Sequence, residues 1–160
     1  MVVADAGPLI AFGHLKGFDL FPDVLGRVLV PEQVLAECLR NPARPDALHI
    51  QSAIDKRWLT VERCDSDFLE SLPPSLGEGE CAAITLAMRQ GCPVLMDDKL
   101  ARRAAKLVGL KVVGTAGVLL KAKQIGRLSQ VEPSLKILQS RGYHLSPVLI
   151  EEVLSLAGEK

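Results

Sequence analysis

Five acidic side chains stand out as candidates for shared chemistry: Asp5, Glu37, Glu80, Asp97 and Asp98. Asp5 closes the apolar run Met1–Ala4, and Asp97-Asp98 closes the run Val94–Met96. Short apolar runs followed by helical patterns read as buried strands. In open α/β sheets the carboxyl ends of parallel strands border the ligand crevice. Carboxylates at those positions can converge on one divalent cation. Hard cations such as Mg²⁺ and Mn²⁺ prefer carboxylate oxygen and water. Such ions activate water and stabilise the oxygen that leaves a phosphodiester. Clustered carboxylates without a cation repel and raise one another's pKa, so the cluster itself calls for a metal.

Each of these residues also has a plain structural explanation. Asp is a good helix N-cap, and negative charge suits a helix N-terminus. One cap needs only one Asp, so the doubled Asp97-Asp98 leaves a carboxylate over. Glu80 is the most informative. At about 100° per helical residue, Ala83, Ile84 and Ala87 share its face, which puts it inside an apolar stripe. A lone buried carboxylate is costly unless it is paired or binds metal. The alternative for Glu80 is a buried ion pair with an arginine. Ser75-Leu76-Gly77-Glu78 has the capping-box form and assigns Glu78 to the helix start. Glu37 borders the apolar face of Val34, Leu35, Cys38 and Leu39, where a solvated charge is equally at home. Glu32 is explained by the helix dipole.

Basic residues follow the acidic pair. Lys99, Arg102, Arg103 and Lys106 lie on one helix, and Lys121, Lys123 and Arg127 on or after the next. Lys99, Arg102, Arg103 and Lys121 are the candidates for holding a phosphate backbone. The alternative is a solvated helix face. His14, His49 and His144 share no spacing, and none is assigned a catalytic role. Trp58 reads as packing. The four cysteines form no CxxC pair and have no His at ligand spacing, which argues against zinc and for reduced core residues in a cytoplasmic protein.

The elements that must position these groups alternate. Strands are expected at Met1–Ala4, Val28–Val30, Leu59–Glu62, Val94–Met96 and Leu110–Val113. Helices are expected over 9–15, 31–39, 46–56, 65–72, from the Ser75 capping box to about 90, 97–108 and 118–124. Pro31 sits at a favoured first helical position, and Pro73-Pro74 and Gly91-Cys92-Pro93 are stops. Two further helices, 131–140 and 147–157, flank Arg141-Gly142-Tyr143-His144. Strands separated by helices imply a parallel sheet with helices on both faces. The chain divides into a nuclease-like domain, 1–128, and a C-terminal helical extension of that domain, 129–160.

At 160 residues the chain has the length of one domain and can bury a core. Hydrophobic residues make up 48% and charged residues 24%, which excludes global disorder. Lys+Arg and Asp+Glu balance at 19 each, so any nucleic-acid role rests on local charge placement. No basic leader precedes the first apolar run, and no run approaches the about 20 residues that span a bilayer.

In order along the chain, these segments resemble PIN domains. Val2-Val3-Ala4-Asp5-Ala6-Gly7-Pro8-Leu9-Ile10 is similar to their first motif, and Val30-Pro31-Glu32-Gln33-Val34-Leu35-Ala36-Glu37 to their second. The segment Glu80–Ala87 takes the third place, with Glu where many members have Asp, and Val94–Asp98 the fourth. The similarity covers about residues 1–125. It is closest to an uncharacterised prokaryotic branch related to toxins of type II toxin–antitoxin pairs. It implies a three-layer α/β/α sandwich and Mg²⁺- or Mn²⁺-dependent endoribonuclease activity. It also implies RNA as substrate, a homodimer, and a small antitoxin protein as partner. By this resemblance Asp5, Glu37, Glu80 and Asp98 are catalytic, and Asp5, Glu80, Asp98 and Asp97 hold metal. Two departures stand out. Ala6-Gly7 replaces a Ser, Thr or Asn common after the first Asp, and Met96 stands where Thr is common; Thr115 is a candidate substitute.

Two other classes compete. One is a catalytically weak PIN-like module that binds RNA or protein, motivated by Ala6-Gly7 and separable by Mn²⁺ titration. The other is a phosphatase- or receiver-like domain built on Asp97-Asp98. The haloacid phosphatase pattern wants a second Asp two residues after the nucleophile, and after Asp5 that place holds Gly7.

Overall fold

The computed structural model describes residues 1–65 and 67–160. Five short parallel strands form its centre: β1 (Val2–Ala4), β2 (Val28–Pro31), β3 (Thr60–Glu62), β4 (Val94–Leu95) and β5 (Val112–Val113). Their spatial order is β3-β2-β1-β4-β5, with Val3 paired to Leu29 on one side and Val94 on the other. The middle strands are buried throughout, as expected for parallel strands covered on both faces. The chain builds outward from β1 to β3, then returns to the other side of β1 with β4. The strand order therefore reverses between β1 and β4, the place where doubly wound sheets bind ligands.

The helices are α1 (Ala6–Leu15), α2 (Phe21–Val24), α3 (Glu32–Cys38), α4 (Pro45–Asp55), α5 (Glu78–Gln90), α6 (Lys99–Leu107), α7 (Thr115–Gln124), α8 (Glu132–Ser140) and α9 (Pro147–Leu156). Together with the sheet they make the expected three-layer α/β/α sandwich. Helix α5 packs on β1, β2 and β4 and against α3, while α1 gathers α4, α7 and α8 around it. Phe12, Leu29, Ile84, Leu95, Met96 and Leu119 are fully buried between the layers. Among the described residues, no helix is long and apolar enough to cross a membrane.

Several elements differ from expectation. Helix α1 starts at Ala6, so Gly7-Pro8 lies inside its first turn. Proline fits there because first-turn amides have no helical partner. A 3₁₀ turn at Phe18–Leu20 and the short α2 were not anticipated. Both are organised by an aromatic cluster in which Phe12 and Phe21 lie 4.9 Å apart, centroid to centroid, and Phe18 and Phe21 5.3 Å. The helix expected over 65–72 does not form, with Ser66 outside the described residues. The segment lies along α5 instead: Thr85 Oγ1 accepts the Leu69 amide at 3.4 Å, and Arg89 donates to the Asp67 carbonyl at 2.9 Å. Pro73-Pro74 withholds two donors and disfavours helix just before it.

The tail shares the main core. Val131, Leu135, Leu138, Leu145 and Val153 are buried in the same apolar cluster as the sheet. Glu159 reaches back from beyond α9 to accept the amides of Val131 and Glu132 at 2.8 and 2.9 Å. It also pairs with Lys123 at 2.9 Å. The chain end thus supplies the cap that α8 lacks locally and fastens the tail to α7.

Candidate active site

The ends of β1 and β4, with helices α3 and α5, bring the expected acidic residues to one cleft of about 1270 Å³, lined by Asp5, Glu37, Glu80, Asp97 and Asp98. The Asp5 amide bonds the Leu95 carbonyl at 2.8 Å, which ties the two strand ends together. Asp5 stands at the head of α1 but makes no side-chain cap, and it is only 5% exposed. Burial pushes its carboxyl up to about 7, tempered by the Ala6 amide and reinforced by the charges of Glu80, Glu37 and Asp98. Burial also raises half-buried Glu80, with Asp98 and Glu37 adding to the rise. The four carboxylates therefore feel one another, with Asp5 deepest and Glu37 and Asp98 at the surface.

The helix starts fix several of them. Asp98 is the N-cap of α6, its Oδ2 accepting the Ala101 amide at 2.9 Å. Glu80 lies on the apolar face, as its spacing predicted, beside buried Ala83, Ile84 and Ala87. The expected division of labour with Glu78 is corrected, however. Helix α5 begins at Glu78, so Glu80 is its third residue, and it is Glu80 Oε1 that accepts the Gly77 amide at 2.9 Å. The expected capping pattern, Ser75 to Glu78, lies two residues before the observed one, Gly77 to Glu80. Glu80 is both cap and cleft residue. Glu37 occupies the last turn of α3, where the helix dipole disfavours a carboxylate. That is a sequence-level sign of a non-structural role, visible only once the end of α3 is known.

Asp97 is set apart from the other four. Its Oδ1 accepts the Thr115 amide at 2.8 Å, and its Oδ2 accepts Thr115 Oγ1 at 2.5 Å and the hydroxyl of Tyr143. Both oxygens are thus occupied in holding the starts of α7 and the tail. Tyr143 was not anticipated, nor were Arg40, Asn41, Arg44 and His144, which also line the cleft. Of the four basic candidates, Lys99 and Arg102 line it; Arg103 and Lys121 do not. Arg102 is committed to structure, donating to the Met96 carbonyl at 2.8 Å. Arg44 is paired with buried Asp46 at 3.1 Å.

Three glycines make room for these groups. A Cβ on Gly79 would stand 3.2 Å from Glu37 Oε2. One on Gly114 would stand 2.9 Å from Arg102 Nη1 and 3.1 Å from Asp97 Oδ1, and one on Gly7 3.2 Å from the Tyr143 hydroxyl. Cys38 also borders the cleft, but burial pushes its thiol up to about 12, which rules it out as a thiolate nucleophile at neutral pH.

The sequence profile of the family described as "DUF3368: PIN domain" matches residues 1–159. The chain belongs to the PIN-domain family. The match extends the PIN assignment through the tail that carries Tyr143. The fold of this PIN domain is similar to that of a PilT N-terminus domain protein from the hyperthermophilic archaeon Sulfolobus solfataricus P2. The TM-score is 0.55 at 16% identity, over 82% of this chain and 99% of that one. No curated protein matches the chain. PIN domains are commonly nucleolytic and typically use divalent metals. Among the described residues here, no three Asp, Glu, His or Cys side chains are gathered tightly enough to form a ligand cage. The donor chemistry nonetheless fits such an ion: Asp5, Glu37, Glu80 and Asp98 offer carboxylate oxygens to one cleft, and their mutual repulsion is what a cation would relieve.

Proposed function

We propose that this PIN domain is a metal-dependent ribonuclease that hydrolyses RNA phosphodiester bonds, working as the toxin of a type II toxin–antitoxin pair. One observation carries the proposal. A buried carboxyl, Asp5, sits at the reversal point of a parallel sheet and is raised to about 7 with three further carboxylates acting on it. A structural cap or a surface charge does not call for such an arrangement. Perturbed groups in a cleft mark functional sites.

Asp5, Glu37, Glu80 and Asp98 would hold Mg²⁺ or Mn²⁺, which supplies an activated water and charge stabilisation at the leaving oxygen. The protein's own groups do the rest. The backbone caps at Gly77 and Ala101 hold Glu80 and Asp98 in place. Asp5, the deepest of the four, would bind the ion deprotonated, so the ion would relieve the burial of its charge. Arg40 and Lys99 are exposed at the cleft and suited to bind phosphates of a strand laid across it. Asp97 shapes the wall. RNA rather than DNA is chosen on the resemblance to toxin ribonucleases, and the same resemblance makes a small antitoxin protein and a second copy the expected partners.

The test is cleavage of single-stranded RNA with Mg²⁺ or Mn²⁺, with and without chelator. Asp5→Asn and Asp98→Asn should abolish cutting while the folded circular-dichroism spectrum is kept. Full metal-dependent activity in both variants would sink the assignment. A wild-type chain that binds no Mn²⁺ would favour a binding module instead.

A further inference from the structure

Tyr143 is the chain's single tyrosine, and it comes from the tail. The end of α8 delivers it. Gly142 is left-handed (φ 78°), its amide bonds the Gln139 carbonyl at 3.1 Å, and the Tyr143 amide bonds the Leu138 carbonyl at 2.9 Å. This six-to-one, five-to-two pair is a Schellman ending, which fixes the direction of exit from a helix. Buried Leu145 and the Ser146 cap of α9 anchor the chain on the other side.

Gly7 faces the phenol. Its φ is not positive, so its backbone conformation is open to other residues. Glycine is also a poor choice inside a helix. What the position uses is the missing side chain, since a Cβ would press on the Tyr143 hydroxyl at 3.2 Å. That hydroxyl gives its one proton to Asp97 Oδ2, alongside Thr115 Oγ1. A phenol oxygen with its proton placed still has lone pairs to accept with. Tyr143 and Asp5 line the same cleft.

We infer that Tyr143 is a positioning residue of the cleft: its hydroxyl, carried by the tail into the space left by Gly7, fixes Asp97 against α7 and so sets the cleft wall next to Asp98. Its value for catalysis rests on the nuclease reading; its placement does not. The role is to orient, through Asp97, and not to touch the reacting phosphate.

A cycle of Gly7→Ser, Tyr143→Phe and the double variant tests it. Losing a group that orients a metal site from outside the ligand set typically costs about 10–100-fold in metal affinity, so Tyr143→Phe, which frees Asp97 next to the ligand Asp98, should weaken Mn²⁺ binding by calorimetry about tenfold. Gly7→Ser alone should weaken it too, because two hydroxyls then compete for one space. In the double variant the serine hydroxyl enters the vacated space, and affinity should return to within about threefold of wild type. Unchanged binding in Tyr143→Phe, or losses that simply multiply in the double variant, would overturn the inference. Melting without metal gives an independent arm. Gly7→Ser should lower the melting temperature by about 2–4 °C in wild type and clearly less in Tyr143→Phe; equal shifts would overturn the placement. A wild-type chain that neither binds Mn²⁺ nor cuts RNA would remove the nuclease reading, and the placement of Tyr143 would then be decided by the melting cycle.

Discussion

Glu80 and Asp98 belong to different helices, yet both line one cleft, and the charge of Asp98 raises Glu80. Each also accepts a backbone amide at the start of its own helix. The bonds that begin α5 and α6 therefore hold two like charges face to face.

Glu80→Gln separates these roles. The amide keeps an oxygen for Gly77 and removes the charge that Asp98 and Glu37 repel. Metal-free stability in urea should rise by roughly 0.5–1 kcal/mol as that repulsion is lost. Mn²⁺ affinity should fall about tenfold or more with one ligand charge removed. Glu80→Ala loses the cap as well and should cost about 1 kcal/mol. Wild-type Mn²⁺ binding by Glu80→Gln would exclude Glu80 from the metal set.

Asp5 makes stability depend on pH in a defined direction. Burial holds its carboxyl at about 7 in the folded chain, against the ordinary 3.8. The folded state therefore holds a proton that the unfolded chain releases. Its contribution is fully present below 3.8, declines as pH rises to about 7, and is flat above. At about pH 8, metal-free Asp5→Asn should be more stable than wild type by roughly 1–3 kcal/mol, and the gap should close towards pH 4. Metal reverses the trend, because its ligands bind deprotonated and its stabilisation grows through neutrality. Parallel pH profiles for the two chains in denaturant titrations would refute the buried acid.

The glycines divide into those that make room and those that do not. Gly114→Ala would push on Arg102 and Asp97 and should cost about 1–3 kcal/mol as an overpacked site. Gly117, inside α7, would meet only Val113 Cγ1 at 3.7 Å, and Gly117→Ala should stabilise by about 0.5–1 kcal/mol. Thermal melts of the pair check the contrast; the same sign for both would contradict the packing around Asp97.

RNA binding should distinguish the basic residues. Arg40→Ala and Lys99→Ala should each reduce the slope of log affinity against log salt by about 0.7 on single strands. Arg103→Ala and Lys121→Ala, away from the cleft, should leave it unchanged. Fluorescence anisotropy across a salt series reads this, and equal changes in all four would move the RNA to another surface.

Local periodicity carried much of this protein. Short apolar runs alternating with helical stretches suffice for a parallel sheet, because burial on both faces and one-sided burial leave different residue patterns. The same patterns put Asp5 and Asp98 at strand ends and Glu80 on an apolar stripe. The helix starts were less legible. A capping motif reads correctly only in the right register, and two residues of shift moved the cap from Glu78 to Glu80. The segment before Pro73 looked helical in isolation, but Thr85 and Arg89 drew it along α5. Tyr143 lay beyond any local pattern. It meets Asp97 across 46 residues, and that meeting depends on a left-handed Gly142, a tail docked on α1 and α7, and a helix turn at Gly7 with no side chain. Sequence spacing decides which residues share a face; only the docking of separate segments decides which hydroxyl fills a gap between them.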